Sequence, residues 1–192
     1  NKLNTIDIDK EISRDKEIFG FELSQEQKDA VKQTVQGGNI QILTAFAGSG
    51  KTTVSKMMLQ VLDRAGLSIA CCSFTGKSSL RIAEAPGFPA STIHRLLGFN
   101  PKVGGFNYNH ENKLPFDVVL IDEAGMISCE LFLSLMKSIK DGAKLIIIGD
   151  TRQLTSITSG NILSDLLNSN VDYISKTILT KVQRQGADSP LL

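Results

Sequence analysis

The stretch TAFAGSGKTT, residues 44–53, follows the apolar run NIQILTA and opens a segment with helical patterning. Gly48 and Gly50 let the main chain curl so that successive N–H groups point inward at an anion. A helix starting at Lys51 adds the positive end of its dipole. In the pattern G-x-x-x-x-G-K-[ST] the lysine reaches the β- and γ-phosphates and the hydroxyl binds Mg²⁺. Lys51 and Thr52 hold those places, so ATP and Mg²⁺ are the expected ligands. Ala45 replaces the first glycine, at a point where the loop only begins and a methyl group can be tolerated. Ala47, Gly48, Ser49, Gly50, Lys51, Thr52 and Thr53 are the predicted nucleotide-binding residues, with Thr52 also on the metal.

Outward from this loop, apolar runs alternate with helical patterns. Residues 39–45, 67–74, 116–122, 143–150 and 176–180 read as strands, and 51–65, 76–85, 129–140 and 161–168 as helices. Near-continuous apolar strands suit a parallel sheet covered on both faces, and strand–helix alternation predicts a doubly wound α/β fold. A further helix is expected over 23–38, with Ser24 and Gln27 at capping-box spacing, Gly37 as its stop, and Ala30, Val31, Thr34 and Val35 on its buried face. The first 20 residues are polar with little pattern and read as a loosely attached lead-in. Residues 98–115, rich in Gly, Asn and Pro, predict a protruding hairpin or long loop.

A chain of 192 residues, 41% apolar, is long enough for one domain with a core of its own. A net charge of +1 excludes a protein coated in positive charge, though not a local basic groove. Cys71, Cys72 and Cys129 form no metal-ligand spacing and predict a reducing, cytoplasmic setting, and no apolar run is long enough to span a membrane.

VVLIDEAGM, 118–126, is an apolar strand ending in two acids at the edge of the sheet where ligands bind in such folds. Asp122 is the candidate metal ligand and Glu123 the candidate base that orients and deprotonates the attacking water. Another strand ends in IIIGDTRQL, where Gln153 can touch the γ-phosphate or the water and Asp150 can support the metal shell. Arg184, in LTKVQRQ, is placed to stabilise charge on the transferring phosphoryl group. Lys51, Glu123, Gln153 and Arg184 form the predicted catalytic set.

With these pieces in order, residues 21–186 resemble the first motor domain of a superfamily 1B DNA helicase of the RecD-like group. LSQEQKDAV resembles the Q-type motif, AGSGKTT motif I, SFTGKSSLRIAE motif Ia, ASTIHRLLGF motif Ib, IDEAGM motif II, GDTRQL motif III and LTKVQRQ motif IV. Seven motifs in family order are far more specific than any one of them. The resemblance implies a RecA-like P-loop NTPase fold over 21–192, an adenine contact for Gln27, and a pin-bearing hairpin insertion at 101–114. It also implies translocation on single-stranded DNA, 5′ to 3′, and a place among the subunits of a helicase–nuclease complex. Thr75, Lys77 and Ser78 of motif Ia, and Thr92, His94 and Arg95 of motif Ib, are then the expected DNA contacts, His94 alternatively being a packed residue. Departures fall at Phe46, Phe74, Gly125 and Thr155 and remove no catalytic group. The family's second motor domain is not in this sequence, which reads as part of a longer protein. A P-loop phosphotransferase acting on a small molecule, and a non-catalytic nucleotide-binding docking module, stay open as alternatives.

Overall fold

The computed structural model describes residues 6–46, 48–75, 88, 90–102, 104–150 and 162–181. Its centre is a sheet of six parallel strands: β1 (Ile40–Ala45), β2 (Ile69–Ser73), β3 (Ala90–Thr92), β6 (Val118–Asp122), β7 (Lys144–Gly149) and β8 (Ile174–Leu179). Their order across the sheet is β3-β2-β6-β7-β1-β8, and every registered pair runs parallel.

The twofold alternation of strand side chains divides the core in two. Leu43, Cys71, Val118, Leu120, Ile146 and Ile148 point to one face, where they meet α1 (Ile8–Ile12), α3 (Gln25–Gln36) and α4 (Lys51–Arg64). Ile42, Cys72, Val119, Ile121, Leu145 and Ile147 point to the other, against α5 (Ile93–Leu96), α6 (Cys129–Ser138) and α7 (Ile162–Asn168). Both faces are thus covered, and the fold is the doubly wound α/β sheet that the strand pattern predicts, RecA-like as the family resemblance implies. Burial pushes the Cys71 thiol up to about 12 and raises that of Cys72 as well, as expected of small core residues.

Helix α3 forms as its sequence dictates. Ser24 and Gln27 make a reciprocal capping box, and Ala30, Val31, Thr34 and Val35 are buried. Its far end is closed from another element: the Lys144 ammonium donates to the carbonyls of Gly37 at 2.7 Å, Gly38 at 2.8 Å and Thr34 at 3.4 Å. Burial lowers the pKa of this lysine to about 8.

The N-terminal segment differs from the loosely attached lead-in expected of it. From Ile6 onward it folds into α1 and α2 (Asp15–Phe19), and Ile8 and Ile12 are 6% and 3% exposed in the core with α3 and α4. Asp15, 1% exposed, holds the segment down: Oδ2 accepts from Leu23 N at 2.8 Å and lies 3.0 Å from the Lys28 ammonium, and Oδ1 accepts from Lys16 N. Burial alone would raise its pKa, but these donors lower it below the ordinary aspartate value.

The hairpin also differs from the span 101–114. Its strands are β4 (Phe99–Asn100) and β5 (Gly105–Phe106), with Phe99 opposite Phe106. Beyond this pair Asn107 N and Tyr108 N still donate to Gly98 O and Leu97 O, and asparagine side chains then shape the turn that follows. Asn109 Oδ1 accepts from Glu111 N and Asn112 N, and Asn112 Nδ2 donates to Asn107 O. The short strand β3 was not expected, and the helix predicted at 76–85 lies outside the described residues.

Candidate nucleotide site

The loop between β1 and α4 and the end of β6 face each other across the carboxyl edge of the sheet, separated by β7. Gly48 and Gly50 take φ of +80° and +84°, a left-handed backbone that glycine adopts without a Cβ clash. Gly50 is the residue from which α4 departs. Across this gap Lys51 Nζ lies 3.2 Å from Asp122 Oδ1, and the two side chains are 24% and 17% exposed. A predicted phosphate ligand and a predicted metal ligand, 71 residues apart, are thereby brought into one ion pair.

Glu123 follows in an unusual conformation. Its φ of 55° makes it the sole non-glycine residue with positive φ among the described residues. Such a backbone costs about 1–2 kcal/mol and tends to occur where function fixes a side chain. Its N–H donates to Asp122 Oδ1 at 2.9 Å, which orients the same oxygen that faces Lys51. The turn thus splits the two acids: Asp122 points to the loop, and Glu123 leaves the line of the strand before a 3-10 turn at Ala124–Met126.

Lys51, Thr52, Ser55, Lys56, Leu59, Asp122 and Glu123 line a small recess. Hard oxygen donors such as the Thr52 hydroxyl and the Asp122 carboxylate fit Mg²⁺, which commonly takes one or two carboxylates, substrate phosphates and water. Among the described residues no group of three or more His, Cys, Asp or Glu forms a cage for a metal; here phosphate oxygens would complete the shell. A larger recess of about 410 Å³, between α3 and β8, contains none of the loop residues. Its charged lining, Glu26, Asp29, Lys176 and Lys181, lies away from the glycine loop and the end of β6, so the chemistry is assigned to the smaller one.

Two predicted contacts are used differently. Ser49 is 1% exposed, and both its N–H and its hydroxyl donate to Phe46 O, at 3.1 and 2.7 Å. It shapes the loop from within. Gln27, expected at the adenine, is 4% exposed; its Oε1 accepts from Ser24 N and its Nε2 donates to Ser49 O at 3.1 Å. In this structure it braces the phosphate loop. Thr53 is half-buried in the first turn of α4.

Among the predicted DNA contacts, Thr75 is half-buried just beyond β2, its carbonyl accepting from Ser73 Oγ. Thr92 Oγ1 caps α5 by accepting from Arg95 N. His94 and Arg95 are exposed on α5. The His94 ring meets Phe99 edge-on and Phe106 at a tilt, both at 5.8 Å, and Phe99 is 47% exposed. Histidine and hairpin therefore form one aromatic cluster with an open face. Ala47, Lys77, Ser78, Gln153 and Arg184 lie outside the described residues, while Asp150 is half-buried at the end of β7. Glu26 and Lys56 were not anticipated. Lys56 lines the recess, and Glu26 holds the chain leaving β8. No local motif signals either.

A glycine-curled loop entering a helix, a lysine paired to an acid at the end of a neighbouring strand, and a parallel sheet beneath them define a P-loop nucleotide fold. The chain belongs to the AAA domain family, whose profile matches residues 22–191. It is similar to the ATP-dependent RecD2 DNA helicase of Deinococcus radiodurans, with 37% identity over 171 residues, 88% of this chain and 23% of that protein. The RecBCD enzyme subunit RecD of Mycolicibacterium smegmatis is 33% identical over 172 residues, covering 77% of this chain and 30% of that protein. The chain thus spans less than a third of the length of these curated relatives. The fold is also that of a Pif1 helicase from Bacteroides, crystallised with ADP-AlF3 and ssDNA. The TM-score is 0.60 at 23% identity, over 88% of this chain and 44% of that one. Among the described residues no helix is long and apolar enough to cross a membrane.

Proposed function

We propose that this chain is the ATP-binding and ATP-hydrolysing motor domain of a RecD-like DNA helicase. The observation that carries the proposal is the Lys51–Asp122 pair at the mouth of the loop, in a chain 37% identical to a RecD2 helicase. Main-chain amides of residues 48–53 and the Lys51 ammonium hold the β- and γ-phosphates. Lys51 turns from Asp122 to the phosphates, leaving the carboxylate and the Thr52 hydroxyl to face the cation. Mg²⁺ supplies charge neutralisation on the phosphate oxygens. Glu123, set off from the strand by its left-handed backbone, orients the attacking water and takes its proton. Gln153 senses the γ-phosphate, Arg184 stabilises its charge, and Gln27 lies beside the adenine while bracing the loop. Thr75, Lys77, Ser78, Thr92, His94 and Arg95 track single-stranded DNA, on which the parent protein moves 5′ to 3′ in the cytoplasm, within or beside a helicase–nuclease complex.

ATP turnover by the purified chain, with and without Mg²⁺ and single-stranded DNA, tests this reading. The expected result is slow Mg²⁺-dependent hydrolysis, stimulated by DNA and without strand separation. Glu123→Gln should keep ATP affinity and lose about 100-fold or more in turnover. Equal turnover in that variant, or phosphorylation of a small molecule in place of water, would reject the proposal.

A further inference from the structure

The N–H and hydroxyl of Ser49 turn inward to Phe46 O, and its carbonyl accepts from Gln27 Nε2 at 3.1 Å. In a trans peptide the carbonyl oxygen and the following N–H point to opposite sides. A Ser49 oxygen held toward α3 therefore aims the Gly50 N–H away from α3. That N–H is one of the amides assigned to the phosphates.

Gln27 is itself held in place. Its Oε1 accepts from Ser24 N at 3.0 Å, so the side-chain amide is fixed at both ends. The N–H one residue earlier, Leu23, donates to Asp15 Oδ2 at 2.8 Å. Two consecutive main-chain donors at the entrance to α3 are thus taken by side chains, Leu23 by Asp15 and Ser24 by Gln27. Asp15 is 1% exposed, and Leu23 and Gln27 are 4% exposed, so water does not replace these partners. The carboxylate is fixed in turn: Oδ1 accepts from Lys16 N at 2.7 Å, and Oδ2 lies 3.0 Å from the Lys28 ammonium. The segment that carries it is seated on both helices beside the loop. Ile8 and Ile12 pack in one core with α3 and α4, Asp9 pairs with Lys32 of α3 at 2.6 Å, and Glu11 lies 3.3 Å from Arg64 of α4.

Helix α3 does not need Asp15 in order to start, because the reciprocal bonds of Ser24 and Gln27 cap it. What Asp15 adds is the position of that cap relative to the loop. We propose that Asp15 is a positioning residue for nucleotide binding, setting the Ser49–Gly50 peptide of the phosphate loop through Leu23, Ser24 and Gln27. The proposal rests on the functional reading above. It makes the N-terminal segment, which precedes every motif of the sequence, part of the frame of the nucleotide site.

The test measures the Kd of a nonhydrolysable ATP analogue with Mg²⁺ by calorimetry on the 192-residue chain, with melting temperatures alongside. Asp15→Ala should weaken binding about fivefold. Asp15→Asn, which keeps one acceptor oxygen, should weaken it about twofold and carries the test if Asp15→Ala does not fold. Lys28→Met removes the ion-pair partner and leaves the Leu23 bond in place. It should lower the melting temperature yet change Kd by less than about 1.5-fold. Added to Gln27→Ala, Asp15→Asn should weaken binding no further, because the link it acts through is already gone. A lower melting temperature with unchanged Kd per folded molecule would make Asp15 a structural anchor alone and overturn the proposal. So would an equal loss of affinity in Lys28→Met, or full additivity with Gln27→Ala. Failure of the unaltered chain to bind the analogue would defeat the functional reading first, and this proposal with it.

Discussion

Replacing Asp15 with alanine removes a carboxylate that is 1% exposed and joins the N-terminal helices to the approach of α3. The Leu23 N–H, in a residue 4% exposed, loses its acceptor without gaining access to water, which costs about 1–3 kcal/mol. Lys28 loses its ion-pair partner, but its side chain is 27% exposed and can turn to solvent, so its share is smaller, about 1 kcal/mol. The sum is about 2–4 kcal/mol. For a chain of this length each kcal/mol lowers the melting temperature by about 2–4 °C, so thermal unfolding followed by circular dichroism should shift down by about 5–15 °C. Asp15→Asn, which retains an acceptor oxygen, should lose about half as much. The sign of the pH dependence follows from the lowered folded pKa. The Asp15 contribution is complete above its unfolded value, near 3.8, and is lost as pH falls through the lower folded value. The gap between unaltered and variant melting temperatures should therefore close in acid. A shift below about 2 °C at neutral pH would refute the view that this carboxylate anchors the segment.

Other consequences are open to the same kind of measurement. Lys144, with a folded pKa of about 8 against an ordinary 10.5, releases its proton more readily folded than unfolded, so its contribution to stability rises across that interval. Relative to Lys144→Met, the unaltered chain should gain melting temperature from pH 8 to 10.5, and parallel curves would contradict this. A Cβ at Gly149 would collide with the fully buried Leu163, so Gly149→Ala should cost about 1–3 kcal/mol in chemical denaturation. An unchanged midpoint would show that α7 yields freely. Gln27→Ala should weaken ATP binding about tenfold by releasing Ser49, read as Kd by calorimetry, with the melting temperature a few degrees lower. Unchanged affinity would remove Gln27 from the site.

Much of the fold is legible in the sequence because near-continuous apolar strands and a capping box are local signals. Ser24 and Gln27 announce the start of α3, and Cys71 and Cys72 land on opposite faces as consecutive strand residues must. What escaped the sequence depends on distant partners. Residues 8–19 look polar because Ile8 and Ile12 are few, and their burial becomes visible only once α3 and α4 lie beneath them. The grip of Glu26 on Thr180 spans 154 residues and leaves no local trace. β3 is three half-buried residues, too short for a period to show. The hairpin misled in another way: its Asn and Gly content signals a turn correctly, but its paired strands are two residues each and begin before the expected span. At the site, glycine spacing predicts the loop's curl, whereas the inward turn of Ser49 onto Phe46 O and the left-handed backbone of Glu123 leave no signal in the residue pattern.

The most direct measurement is a crystal structure of this chain with Mg²⁺ and a nonhydrolysable ATP analogue. The β- and γ-phosphates should lie against the amides of residues 48–53, with Lys51 Nζ moved from Asp122 Oδ1 to a phosphate oxygen, Asp122 turned to the cation and Glu123 facing the γ-phosphate. A triphosphate bound elsewhere, with the 3.2 Å Lys51–Asp122 pair unbroken, would contradict it.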